Sequence, residues 1–239
     1  MQTLLYSCLL SATLLVGSPD KNVKKETAKP KGWISLFDGK TTKGWHTFGK
    51  TTVGEYWKVQ DGALYLDAAA KKELKAKGDG DILSDAIFGD FDLKVDWKVS
   101  QKGNSGIIFW VQDDAVKYEH AFHTGPEVQV LDNDGHSDGK IIKHRAGNLY
   151  DLVEGKEGAV KPVGEWNTCE IICNKGKMEI ILNGTSVVTT NYGDDNWKDM
   201  ISKSKFKNMP DFGRVFSGNI CLQDHGNDVW FKNILIKKL

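Results

Sequence analysis

Nine consecutive residues, Phe91 to Val99, alternate without a break between apolar and charged side chains: Phe91, Leu93, Val95, Trp97 and Val99 against Asp92, Lys94, Asp96 and Lys98. Successive side chains of a strand point to opposite faces, so this pattern predicts a strand with one face on a core and the other in water. Gly106 to Val111 is apolar on both faces and predicts a central strand. Further strands are expected at 56–59, 63–66, 127–131, 167–173, 177–182, 186–190, 218–223 and 229–237.

Two turns are strongly typed. Asn183-Gly184 supplies the positive φ angles of a tight hairpin, and Asn174-Lys175-Gly176 closes the preceding pair, so three consecutive antiparallel strands follow. Only 71–77 and 197–204 read as helical, and both are short. Many strands, tight turns and almost no helix predict an all-β fold of two packed antiparallel sheets.

At 239 residues the chain is long enough for one full core. Lys plus Arg number 32 and Asp plus Glu number 32, so no net field favours nucleic acid or an anionic membrane. Residues 4–16 form an apolar run too short to span a bilayer, followed by Gly17-Ser18 and a Lys-rich stretch. The organisation expected is a signal peptide at 1–18, a polar linker at 19–31 and a single β-sandwich domain at 32–239, with a periplasmic, cell-envelope or secreted location. No Lys or Arg precedes the run, and the run continues past Cys8, which argues against lipidation. Cys169 and Cys173 stand four apart on a strand, roughly 13 Å, beyond a disulfide's reach; a bridge from either to Cys221 stays open.

The chemistry concentrates in Glu127-Val-Gln129-Val-Leu131-Asp132-Asn133. Glu127, Gln129 and Leu131 should share one face, with same-face neighbours about 7 Å apart, while Val128 and Val130 enter the core. A buried carboxylate requires a partner, hydrogen bonds or a metal. Gln223 and His225 form a second same-face pair, and His144, Arg145 and Tyr150 lie in a loop able to supply a base or a cation. Asp132 to Asp138 is rich in oxygen ligands but fails the EF-hand pattern. Zinc spacing, a phosphate-cradling glycine loop and a nucleophile elbow are all missing from the sequence.

The chain resembles the 3-keto-disaccharide hydrolase family, formerly a domain of unknown function. The resemblance rests on Leu36-Phe-Asp-Gly39 with Gly44-Trp45, Trp57 to Gly62, Asn104-Ser-Gly-Ile107, Gly125 to Asn133, Gly164-Glu-Trp-Asn167, Leu182-Asn-Gly184, Ile220 to Gly226 and Phe231-Lys-Asn-Ile234. It implies a concanavalin A-like jelly-roll sandwich and an oxidised glycoside or oligosaccharide as substrate. A ketone at C3 makes the C2 hydrogen acidic, and the C1 substituent can then leave by elimination, with hydration open to follow. On this reading Glu127 and His225 transfer protons, with His144 in reserve. Asn104, Gln129, Asp132, Gln223 and Arg145 hold hydroxyls or the enolate oxygen, and Tyr150 and Trp110 flank the ring. A divalent metal ion would serve at the enolate oxygen, though the sequence establishes none. Trp110 stands where many relatives carry Arg.

Two other readings compete. A retaining laminarinase-type glycosidase uses a Glu-x-Asp-x-x-Glu strand that Glu127 to Asp132 imitates, although a plain strand puts 127 and 132 on opposite faces. In a non-catalytic carbohydrate-binding module Trp110, Tyr150 and other aromatic residues would carry the affinity and Glu127 would only accept hydrogen bonds.

Overall fold

A computed structural model describes residues 31–76 and 80–239. The expected leader and most of the linker lie outside the described residues. Thirteen strands are found among those described: β1 (Ile34–Ser35), β2 (Trp45–Thr47), β3 (Trp57–Gln60), β4 (Ala63–Leu66), β5 (Ile82–Phe88), β6 (Phe91–Val99), β7 (Asn104–Val111), β8 (Glu127–Leu131), β9 (Asn167–Asn174), β10 (Lys177–Leu182), β11 (Thr185–Asn191), β12 (Gly218–Leu222) and β13 (Val229–Lys238). The two helices are short, α1 (Ala68–Glu73) and α2 (Asp195–Ser202). No helix among the described residues is long and apolar enough to cross a membrane.

The strands form two antiparallel sheets. One runs β11-β10-β9-β6-β13-β4-β3, with β1 also on β13, and the other runs β2-β5-β12-β7-β8. This is the all-β sandwich expected. The long strand β13 serves two neighbours along one edge, β4 at Val229–Phe231 and β1 at Leu235–Ile236. In β6 every apolar residue is buried and every charged one is partly exposed, as the alternation requires. The hairpin at Asn183-Gly184 has φ of 51° and 82°, the left-handed pair that a two-residue turn needs.

The main core lies between the sheets and includes Phe91, Leu93, Val95 and Trp97 from one and Ile107, Phe109, Val128, Val130, Ile220 and Leu222 from the other. Cys169, Cys173 and Cys221 are all buried, and Cys169 and Cys173 are free thiols. Strand β7 lies between β12 and β8, and all eight of its residues are buried.

Trp110 departs from the sequence expectation. Between the pairs Asn219↔Val111 and Cys221↔Ile108 two residues of β7 oppose one of β12, which makes a bulge. Trp110 sits in it with φ of 62°, a left-handed conformation unusual for a bulky residue. The extra residue cancels the alternation, so Ile108 and Val111 face outward while Trp110 turns into the core against Phe91, Tyr192 and Phe216. Its indole N–H donates to the Gly89 carbonyl at 2.9 Å, and it is fully buried. It presents no stacking surface to a sugar.

Candidate functional site

The outer face of the five-stranded sheet is built from one transverse row. His46 pairs with Leu83, Leu83 with Cys221, Cys221 with Ile108 and Ile108 with Glu127. Opposed residues in antiparallel strands share a face, so these five side chains stand side by side. Leu83, Cys221 and Ile108, with Val111 and Ala121, form a second apolar cluster, separate from the main core, flanked by Phe48 and Phe122. Glu127 is therefore on the face away from the core, as its alternation predicts, yet it is 6 % exposed and Gln129 is 1 % exposed. Something covers them.

The cover comes from the chain after β8. Residues 147–150 run back along the free edge of that strand. Gly147 N–H donates to Gln129 O, Gln129 N–H to Asn148 O, and Tyr150 N–H to Glu127 O. This satisfies an edge that would otherwise expose its backbone groups, and it raises a wall beside Glu127. Tyr150 donates its hydroxyl to Asp138 Oδ2 at 3.0 Å and stacks on His144 with ring centroids 4.2 Å apart. Nε2 of His144 lies 3.1 Å from Asp151 Oδ1, and Asp151 Oδ2 accepts the Lys205 backbone N–H at 2.6 Å. The Lys205 ammonium then lies 4.1 Å from the centre of the Tyr150 ring.

On the other side, Gln223 N–H donates to Gly106 O, which brings the end of β12 beside Gln129. His225 is exposed, with its ring perpendicular to His136 at 6.1 Å. Asn104, on the same face as Gln129, is 3 % exposed, and its Oδ1 has no hydrogen-bond partner.

The electrostatics follow from this enclosure. Burial pushes the Glu127 carboxyl up to about 8, with Asp81 and Asp138 adding to the rise and Lys205 opposing it. For His225 the direction is downward, because desolvation and His136 disfavour its charged form, while Asp138 and Asp224 oppose the shift. Lys205 is also lowered, mainly by desolvation, against the fields of Glu127, Asp151 and Asp138. Asp138 thus acts on Glu127, His225, Lys205 and Tyr150 together. A carboxyl that keeps its proton and an imidazole that sheds one form an acid and base pair at neutral pH.

Two residues expected here are found elsewhere. Arg145 and Asp132 line a cavity of about 870 Å³ together with Trp97, Asn148, Glu157 and Asn167, and neither Glu127 nor His225 borders it. Arg145 is committed to Glu157 and the Gly139 carbonyl. Asp132 accepts backbone N–H groups of Lys102, Asp134 and Gly135, so its carboxylate organises the loop after β8. Tyr150 is placed beside Glu127, but its ring is taken up by His144 and Lys205 and acts as a wall. Lys205 was not foreseen: it lies in a polar stretch near the C-terminus of the helical segment, and no local pattern distinguishes it from the lysines at 203 and 207. Among the described residues no group of three or more His, Cys, Asp or Glu side chains is arranged to hold a metal ion.

A family model described as a 3-keto-alpha-glucoside-1,2-lyase-like domain matches residues 32–237. The chain belongs to this family. Among its relatives, the 3-keto-disaccharide hydrolase of Bacteroides thetaiotaomicron is 35% identical over 228 residues, covering 87% of this chain and 79% of that protein. A solved structure from Parabacteroides distasonis, described as a glycosyl hydrolase, is 32% identical with a TM-score of 0.76, over 87% of this chain and 94% of the other. The family fold extends to a more distant endo-beta-1,3(4)-glucanase of family GH16, with a TM-score of 0.50 at 13% identity, over 89% and 94% of the two chains. That likeness concerns the jelly-roll sandwich alone.

Proposed function

We propose that this protein cleaves glycosides already oxidised to a ketone at C3, by removing the C2 proton and eliminating the C1 substituent, with hydration of the product as the step that can follow. That it is a glycoside-cleaving enzyme follows from its family. The substrate and mechanism are our reading of the residues around Glu127.

The observation that carries it is a buried Glu127 carboxyl pushed up to about 8 and a His225 imidazole shifted down, both within the field of Asp138. The C3 carbonyl acidifies the C2 hydrogen because the electron pair left behind is delocalised onto the C3 oxygen. The neutral His225 imidazole takes that proton. As the enolate collapses toward C1–C2 unsaturation, the C1–O bond breaks, and the protonated Glu127 carboxyl supplies the proton the leaving oxygen needs. The orphan Oδ1 of Asn104 accepts from a ring hydroxyl, and Gln129 and Gln223 offer further amide contacts. His144 is tethered to Asp151 and serves to hold Tyr150 and Asp138.

The laminarinase reading needs two carboxyl groups about 5–5.5 Å apart, and here Asp132 is spent on its own loop while position 129 is an amide. A purely binding module would need exposed aromatic platforms, and Trp110 is not one. The expected periplasmic, envelope or secreted location remains a proposal resting on residues 1–18.

The test is to offer one glucoside and its 3-keto form side by side to the wild type and to Glu127→Gln. Turnover of the keto form only, with Glu127→Gln slowed about 10²-fold or more, supports the proposal. Equal turnover of the unoxidised glucoside would sink it.

A further inference from the structure

We propose that Lys205 is the cation that receives the C3 oxygen of the substrate as it becomes an enolate. This rests on the reading above and deepens it. Deprotonation at C2 moves a full negative charge onto the C3 oxygen, and beside the carboxyl groups of Asp81, Asp138 and Asp151 that charge needs a cation.

Lys205 meets the requirements in a way other nearby cations do not. Lys71 is paired with the fully buried carboxylate of Asp224, and Arg145 is paired with Glu157 beside a different cavity. Among the described residues no carboxylate forms an ion pair with the Lys205 ammonium. It lies instead over aromatic faces, 4.1 Å from the Tyr150 centroid, 5.1 Å from Phe206 and 5.9 Å from Phe122. An ammonium resting on ring faces keeps its hydrogen-bond donors free for an anion. Lys205 is exposed as a residue, so a ligand can reach it, and its field acts on Glu127.

Its position is also fixed. The backbone N–H is held by Asp151, Ser204 caps the following 3-10 turn Lys205–Asn208, and Phe206 stacks on Phe212 at 3.8 Å. Tyr150, whose ring carries the ammonium, is hydrogen-bonded through its backbone to Glu127. The amine and the proton-donating carboxyl thus act on each other from two separate chain segments, with Tyr150 between them. Preorganised charge of this kind acts without reorganisation at the moment of reaction.

The experiment uses the full chain and a 3-keto-glucoside with deuterium at C2. Lys205→Met is expected to lower kcat about 10²–10³-fold, with KM little changed, the melting temperature unaltered and the C2 isotope effect increased. Lys205→Arg, which keeps the charge, should retain at least about a tenth of wild-type kcat on the same scale. Lys205→Met turning over like the wild type, or with an unchanged isotope effect, would overturn the role while leaving the elimination reading intact. An inactive Lys205→Arg together with a borohydride-trapped substrate adduct on Lys205 would overturn it in favour of a covalent imine. A wild type inert toward the keto-glucoside would overturn the substrate reading and this role with it.

Discussion

The Glu127 side chain lies across the bare Cα of Gly106: a methyl group built there would come within 2.6 Å of Glu127 Cδ and closer still to Oε1. Gly106 opposes Gln129 in the ladder, one step from the Ile108↔Glu127 pair, so the carboxyl leans diagonally over the neighbouring strand into space that only glycine leaves open. Gly106 has an ordinary strand conformation, since it is not among the glycines with positive φ. Its requirement is for room.

Gly106→Ala should therefore expel the Glu127 carboxyl. We expect a stability loss of about 1–3 kcal/mol from overpacking and a near-complete loss of turnover. Because the clash is with one side chain, adding Glu127→Ala should recover most of that stability without restoring activity. Denaturant titrations of the two single variants and the double variant measure the coupling; strictly additive losses would show that Gly106 answers to something else.

The buried carboxyl also weakens the fold at neutral pH. The folded-state value of about 8 lies above the ordinary 4.5, so the unfolded chain releases this proton first as pH rises, and stability falls between those two values. Glu127→Gln removes the effect. Its advantage over the wild type should be near zero at pH 4, grow to on the order of 4 kcal/mol near pH 8 and level off beyond. Melting curves across that range check it, and a pH-independent difference would contradict the raised value.

The rate should fall above pH 8, as Glu127 loses the proton it must donate, and fall again on the acid side below 6.5, where His225 becomes charged. Asp138 raises both groups. Asp138→Asn should therefore move both limbs of the profile to lower pH together, whereas His225→Ala should abolish the acid limb along with most of the activity. Limbs that move independently would mean that the two groups do not share the field of Asp138.

Trp110 should matter to stability alone. Trp110→Phe loses the hydrogen bond to Gly89 and part of the aromatic packing, at a cost of about 1–3 kcal/mol, with KM for the keto-glycoside unchanged. A selective rise in KM, with the melting temperature preserved, would return Trp110 to the binding surface.

Legibility differed from element to element. Strands β4, β6, β8 and β10 have the predicted bounds, because each carries its own alternation or is bracketed by typed turns. Strands β1, β2 and β5 were missed. Two are only two or three residues long, and β5 combines buried Ser84 with exposed Ile87, which breaks the apolar pattern. Of the site, the shared face of Glu127 and Gln129 was readable because side-chain direction in a regular strand is a local property. The same rule failed at Trp110, where one inserted residue reverses the direction of everything after it, and it could not show that Asp132 and Arg145 line a separate cavity from Glu127.

Alternation, turn residues and the order of the family's motifs determined, from the chain alone, that it is a two-sheet sandwich with a carboxyl and amides on one outer face. Only the tertiary structure decided which loops close over that face, and so how far Glu127 and His225 are desolvated and which lysine stands beside them. Desolvation and charge proximity depend on atoms brought from distant parts of the sequence, Asp138 and Lys205 among them, and no spacing along the chain encodes those distances.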